Sequence, residues 1–272
     1  KEAILGNRII CHYQPLLNIE NSEIYSYESL VRLIDNKGNS LAPYKFLDFS
    51  KKIKLYSSIT KIVVAKACKT FQNRDENFSI NLSVDDIKDL ETVDFILKTI
   101  KETNTSSRVT FEILESEGIE NYQEVISFIN QIKSLGARIA IDDFGTGYSN
   151  FEHLLRLDVD YIKIDGSLIK NIVTDDKHRL IVETIVSFAR RIGIKTVAEF
   201  VSDEKNLLDQ SQLQKEILNE SKHELFKIDF FKTSNNEIIQ NKINIESSAI
   251  DIKEINAVSK NKIKSGIIKS FS

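Results

Sequence analysis

From about residue 76 to 202 the sequence keeps one rhythm: a short β-rich apolar run ends in polar residues and gives way to a stretch with apolar residues three and four apart. That alternation marks βα units, and successive βα units build a parallel sheet. The strands it predicts are FSINL (78–82), RVTFEIL (108–114), ARIAID (137–142), VDYIKID (159–165) and IKTVAEF (194–200). Between them VISFINQIKSLG (125–136) reads as an amphipathic helix that closes on a glycine. Upstream, IICHYQPLLNI and IYSYESLVRLI read as two strands joined by the turn ENSE, and SITKIVVAKACKTF (58–71) as a helix. A parallel sheet must be covered on both faces or closed on itself. At least seven strands in this order therefore predict a TIM-like (β/α) barrel, with an open doubly wound sheet as the alternative.

The 272 residues suffice for such a barrel, which uses about 250. After about residue 203 the rhythm fails. EKNLLDQSQLQKEILNE (204–220) fits a helix and LFKIDFF (225–231) a strand, but the remainder has weak periodicity. The expected division is a barrel domain over 1–204 and an atypical segment over 205–272, which completes the barrel, forms an appendage or is partly disordered. With 37 basic against 40 acidic residues the net charge is −3, too balanced for binding a nucleic-acid polymer by bulk electrostatics. Cys11 and Cys68 both fall in apolar surroundings, as expected of core residues in a reduced, cytoplasmic protein. No run approaches the roughly eighteen apolar residues of a membrane span, and the start lacks a signal-peptide core. Methionine is absent even from position 1, so the expectation is one module of a longer protein whose other parts include sensors or a membrane anchor.

At the C-terminal ends of the predicted strands stand Glu28, Asn81, Glu112, Asp142 with Asp143, Lys163 with Asp165, and Glu199. In a parallel barrel those ends converge on one face, where the sites of this fold lie. Carboxylates gathered there repel and raise one another's pKa unless a cation is present. Oxygen donors without histidine or cysteine select hard cations, Mg²⁺ or Mn²⁺, over Zn²⁺. Asp142 and Asp143 would point to opposite sides of a regular strand, but where the backbone turns both can reach metal, as a two-metal site with ions roughly 3.5–4 Å apart requires. Lys163 and Asp165, two apart, face the same way, into the barrel. An ammonium there can orient or help deprotonate an attacking water, or balance the carboxylates. For Asp165 before GSLIK, and for Asp85 after NLS, a helix N-cap is an equal reading. Glu115, Glu117 and Glu120 include solvated loop charges, and the histidines at 12, 153, 178 and 223, lacking ligand spacing, read as structural or surface residues.

Assembled in order, these motifs resemble the EAL-domain cyclic-di-GMP phosphodiesterases, a TIM-barrel-like family, over roughly residues 8 to 204. YQPLL matches the opening Q-P element, YESLVRL the E-A-L signature with Ser29 in place of Ala, and INLS an Asn-x-Ser motif. FEILE is similar to E-L-T-E, IDDFGTGYSN to D-D-F-G-T-G-Y-S, YIKID to K-I-D, and VAEFV to the start of E-G-V-E. The resemblance implies that Glu28, Asn81, Glu112 and Asp142 bind one Mg²⁺ or Mn²⁺, and that Asp143 and Asp165 serve a second. It implies that Lys163 and Glu199 hold or activate the water, that Gln14 and Arg32 lie along bound cyclic di-GMP with Arg32 near a phosphate, and that Glu115 anchors the DFGTGY loop. It also implies a homodimer through residues near 149–157 and linkage to sensor or GGDEF modules in a longer chain.

The sequence departs from the family at Ser202, where a second glutamate is usual, at Phe200 in place of glycine, and in lacking a Q-G-[YF] closing element after residue 204. The expected activity is metal-dependent hydrolysis of cyclic di-GMP to linear pGpG. The alternative is a catalytically silent receptor for the nucleotide or for a protein partner, which the departures favour and the retained ligand set opposes. A metal-dependent barrel enzyme acting on another phosphoester is the third reading.

Overall fold

The structure is a computed structural model that describes residues 1–18, 23–116, 122–146, 151–172, 174–201 and 224–228. The predicted turn at 20–23 and the predicted helix at 204–220 fall wholly or mostly outside them. Strands β1 (Ile9–Asn18) and β2 (Ile24–Ile34) form an antiparallel hairpin, with Gln14 opposite Glu28. A two-residue β3 (Ser40–Leu41) pairs with the end of β2, and α3 (Tyr56–Phe71) then leads down to β4 (Asn77–Leu82). The βα units follow as β5 (Val109–Leu114), β6 (Arg138–Phe144), β7 (Tyr161–Ile164) and β8 (Lys195–Val201). β4 to β8 pair in parallel with their neighbours, and β4 also pairs in parallel with β2.

The last described strand, β9 (Glu224–Ile228), lies parallel to β8 and antiparallel to β1. The pairings thus run in a circuit β1-β9-β8-β7-β6-β5-β4-β2 and back to β1, with β3 appended to β2. The result is a curled, mixed α/β barrel in which β1 runs against both neighbours. A hairpin connection leaves β1 no other direction, since a parallel pairing needs a long crossover. The strand expected at 225–231 starts one residue earlier, and residues 229–231 lie outside the described set.

Strand alternation divides the residues into two sets. Phe78 and Ile80, Phe111 and Ile113, Ile139 and Ile141, Ile162 and Ile164 point outward and join the helices in one large apolar cluster with Val64, Phe71, Ile96, Phe128 and Ile185. The inward set is small and mixed: Leu16, Ala140, Tyr161 and Val197 pack together, and Tyr161 shares a 2.7 Å hydrogen bond with Tyr25. Above that plug, toward the C-terminal ends of the parallel strands, the inward residues are charged.

Helix starts use local caps. Ser83 opens α4 (Val84–Lys88) with a capping box: its hydroxyl accepts the Asp86 amide at 3.2 Å while Asp86 accepts the Ser83 amide at 3.1 Å. Thr60 of α3 donates to the same carboxylate at 3.1 Å. The cap that is one of two equal readings for Asp85 belongs to Ser83, because a capping side chain must precede the first turn and Asp85 is already inside it. Asp165 does cap, accepting the Ser167 amide at 2.7 Å to start α8 (Gly166–Lys170). α9 (Asp176–Ile192) begins at Asp175 and ends at Gly193, whose φ of 78° closes the helix in the left-handed region.

The tightest knot of the outer core is aromatic. Phe71 stacks on Phe78 at 4.5 Å between centroids and takes the edge of Tyr13 at 5.2 Å. Truncating Phe71 to alanine removes a fully buried ring that joins α3 to β1 and β4. We expect a loss of about 3–5 kcal/mol in unfolding free energy, measured by denaturant titration.

Candidate active site at the C-terminal mouth of the barrel

Lys163, inward on β7 and 1 % exposed, is the hub. Its ammonium lies 2.5 Å from Glu112 Oε2, 2.7 Å from Asp142 Oδ1, 3.1 Å from Glu199 Oε1 and 3.7 Å from Glu28 Oε2. The four carboxylates come from β5, β6, β8 and β2, all buried. Burial alone would lower the Lys163 pKa, but Asp142, Glu112, Glu28 and Glu199 together hold it well above the ordinary lysine value. Lys163 is an ammonium at any physiological pH.

Asn81 on β4 donates its side-chain amide to Glu28 Oε1 at 3.1 Å, which leaves its amide oxygen as the group to offer a cation. Asp142 is pushed up by burial, against the pull of Lys163, with Glu199 and Glu28 adding to the rise. Asp143 is half-buried and raised to about 6 by burial and then by Asp142, Glu199 and Asp165.

The strand end permits the Asp142–Asp143 pair. The β6–β7 register shifts between Ile141 and Phe144, and Asp143 sits at φ 55°, in the left-handed region that aspartate tolerates better than most residues. Its amide donates to Asp142 Oδ1 at 3.0 Å. With that irregularity one carboxylate oxygen each of Asp142, Asp143 and Glu199 lies within 4.8 Å of the others. Three oxygen donors so close, two of them held above their ordinary pKa by burial first and by neighbouring carboxylates second, fit a hard divalent cation.

Glu115 Oε2 accepts the Gly145 amide at 3.0 Å, tying the end of β5 to the loop after β6. Gly145 has φ 103°, and a Cβ there would stand 2.5 Å from Leu168 Cδ1, so the loop's path depends on that glycine. Gly147, Glu117, Glu120 and Ser202 lie outside the described residues. Asp165 faces Asp143 electrostatically while serving as the α8 cap. Gln14 is buried beside Glu28 in the β1–β2 register. Arg32, half-buried, donates to the Val31 carbonyl at 2.9 Å, and its charge is opposed by burial and favoured by Glu28.

His12 is the residue that sequence reading set aside. It alternates in phase with Gln14 on β1, and burial with the nearby Arg32 charge lowers its pKa to about 4. The imidazole is therefore neutral beside the mouth. Its phase with Gln14 was the signal available in the sequence.

In the metal-free chain the native state is penalised for ionising Asp143. A folded pKa near 6, above the unfolded value of 3.8, means that this group's favourable contribution is present below about 3.8 and lost as pH rises through 6. Asp143→Asn, which keeps a residue suited to the left-handed conformation, should raise the thermal midpoint in chelator at pH 7.5 and leave it unchanged near pH 3.5. An equal shift at both values would contradict the electrostatic account.

An EAL domain family model matches residues 1–214. The cyclic di-GMP phosphodiesterase PdeB of Shewanella oneidensis is 34 % identical over 218 residues, covering 78 % of this chain and 25 % of that protein. The chain thus spans about a quarter of the length of this curated relative. Among solved structures, the PaMucR phosphodiesterase in complex with c-di-GMP superposes with a TM-score of 0.73 at 27 % identity, over 83 % of this chain and 91 % of the other. An EAL domain protein from Listeria monocytogenes gives 0.71 at 28 % identity, over 90 % and 96 %. The chain belongs to the EAL domain family.

Proposed function

We propose that this chain is a Mg²⁺- or Mn²⁺-dependent phosphodiesterase that hydrolyses cyclic di-GMP to linear pGpG. The observation that carries the reading is the Lys163 hub. Four buried carboxylates and one ammonium leave a surplus of negative charge at the mouth of a barrel whose relatives include a named cyclic di-GMP phosphodiesterase.

In the reaction a water oxygen bonds to phosphorus, the bond from phosphorus to one ribose oxygen breaks, and the proton lost by the water is matched by one gained by the leaving oxygen. Glu28, Asn81, Glu112 and Asp142 are the donors assigned to one ion, and Asp143 with Asp165 to the second. Such ions, when bound, supply the positive charge that lets a doubly anionic dinucleotide enter a carboxylate-lined site and make the attacking water more acidic. Lys163, held protonated, orients that water by donating to its oxygen; it is not the base. Glu199, 3.1 Å from the same ammonium, is the carboxylate we assign to take the proton.

Gln14 and Arg32 are the residues we assign to the nucleotide, Arg32 to a phosphate, whose oxygens suit a guanidinium fork. Glu115, through Gly145, holds the loop after β6 beside Asp143. The same reading carries a homodimer through residues 149–157, where α7 (Phe151–Arg156) exposes Leu155, a cytoplasmic location, and sensor or GGDEF modules in a longer chain. No helix among the described residues is long and apolar enough to cross a membrane.

The test is cyclic di-GMP turnover with Mg²⁺ or Mn²⁺ and chromatographic separation of pGpG, on the parent and on Glu199→Ala. Metal-dependent pGpG formation that the substitution lowers by about 10²-fold or more supports the assignment. Tight nucleotide binding without turnover in the parent replaces it with a receptor, for which Ser202 and the missing closing motif are the sequence grounds.

A further inference from the structure

Between β3 and α3 the chain makes a short protrusion that gathers exposed apolar groups and lysines. A 3₁₀ turn (Pro43–Lys45) runs into α2 (Leu47–Lys52), and this piece is pinned from below by buried Phe46 and Ser50. The Ser50 amide donates to the Phe46 carbonyl at 2.9 Å. The opposite side carries large apolar groups in water: Tyr44 is 76 % exposed, Phe49 64 % and Ile53 42 %. Phe49 and Ile53 are one helical turn apart, linked by the Ile53 amide donating to the Phe49 carbonyl at 3.2 Å, so their side chains lie along one ridge.

Lysines 45, 51, 52 and 54, all exposed, share the segment with the single acid Asp48, on a chain whose net charge is −3. Lys45 and Lys51 also lie over the rings of Tyr44 and Tyr56, at 5.8 and 4.8 Å. Nothing in the site chemistry uses these groups. An exposed aromatic and aliphatic ridge is costly in water, and a lysine cluster on the same segment excludes a second basic or purely apolar partner.

We propose that this protrusion is a docking surface for anionic lipid bilayers. The ridge of Phe49 and Ile53 enters the headgroup boundary, with Tyr44 at the interface, while the lysines meet lipid phosphates with their stems along the apolar layer. Charge complementarity selects this partner. A surface of anionic phosphates above hydrocarbon offers both halves of what the patch presents, whereas a nucleic-acid duplex offers only the charge. The segment leaves the end of β2, with Leu33 paired to Leu41, so it stands at the same end of the barrel as the carboxylate site. Docking would present that end to the bilayer surface.

The experiment is sedimentation of the 272-residue chain with vesicles of phosphatidylcholine alone and of phosphatidylcholine with an equal part of phosphatidylglycerol. Binding should favour the anionic vesicles by about tenfold or more and weaken several-fold from 0.1 M to 1 M salt, where the Debye length falls from about 10 Å to about 3 Å. Lys52→Glu should lower affinity by about fivefold or more, from removal of one surface lysine and reversal of its charge. Phe49→Ser should lower it by about tenfold, as loss of an inserted aromatic requires. Both positions are exposed, and an unchanged thermal midpoint certifies each variant as folded. Failure to bind anionic vesicles, or full binding by Phe49→Ser, overturns the proposal. So does retention of a double-stranded DNA probe in place of vesicles.

Discussion

The approach of Lys163 to Glu28 is the contact on which the site depends. The two side chains stand on β7 and β2, four strands apart whichever way the ring is followed, yet their charged atoms are 3.7 Å apart. Only a closed sheet with inward-pointing side chains at matching height brings them together. An open sheet would leave Glu28 at one edge and its lysine far away. Closure also bears on energetics: each inward carboxylate gives up water, and one ammonium shared among four is their principal common compensation. The arrangement leaves negative charge in excess, so the mouth of the barrel is incomplete as a charge system without an added cation.

That excess is tolerable because the barrel does not rely on its interior for cohesion. The outward faces of β4 to β7 and the helices share a large apolar cluster, fully buried at Phe78, Phe111, Ile139 and Ile162. Inside, a modest plug of Leu16, Ala140, Tyr161 and Val197 suffices, capped below by the Tyr25–Tyr161 hydrogen bond. Stability thus resides on one face of each strand and chemistry on the other. A period of two in the sequence is enough to separate them.

This separation explains what could be read from the sequence. The alternation in TFEI, RIAID and YIKI shows which residues share a face, and the positions of Glu112, Asp142 and Lys163 at strand ends follow from it. For β1, β2 and β4 to β8 the strand limits differ from the periodic runs by at most two residues, and Asp165, read as a strand end, is claimed by the α8 cap. The antiparallel direction of β1 follows from its hairpin. Two things were not legible for a physical reason. The apolar run LFKIDFF reads as a strand, and β9 starts one residue before it, but without the Q-G-[YF] element nothing in the pattern says that this strand pairs with both β8 and β1 and closes the ring. Ser83 and Asp85 offer equally good capping oxygens on paper, and only the position of the first turn decides between them.

The pair Asp142–Asp143 shows where local rules give way to function. A single carboxylate would cap a helix or meet Lys163. The second adds repulsion, takes a left-handed backbone of a kind that usually costs about 1–3 kcal/mol outside glycine, and interrupts the β6–β7 register. Among the described residues no helix start uses Asp143, since the next described helix, α7, begins at Phe151. Its ring of neighbours, Asp142, Glu199 and Asp165, is uniformly acidic apart from Lys163. Asp143 therefore stands where three carboxylate oxygens converge within 4.8 Å, an arrangement that could hold a ligand of opposite charge. The left-handed backbone and the register break thus coincide with the acidic cluster rather than with any packing contact.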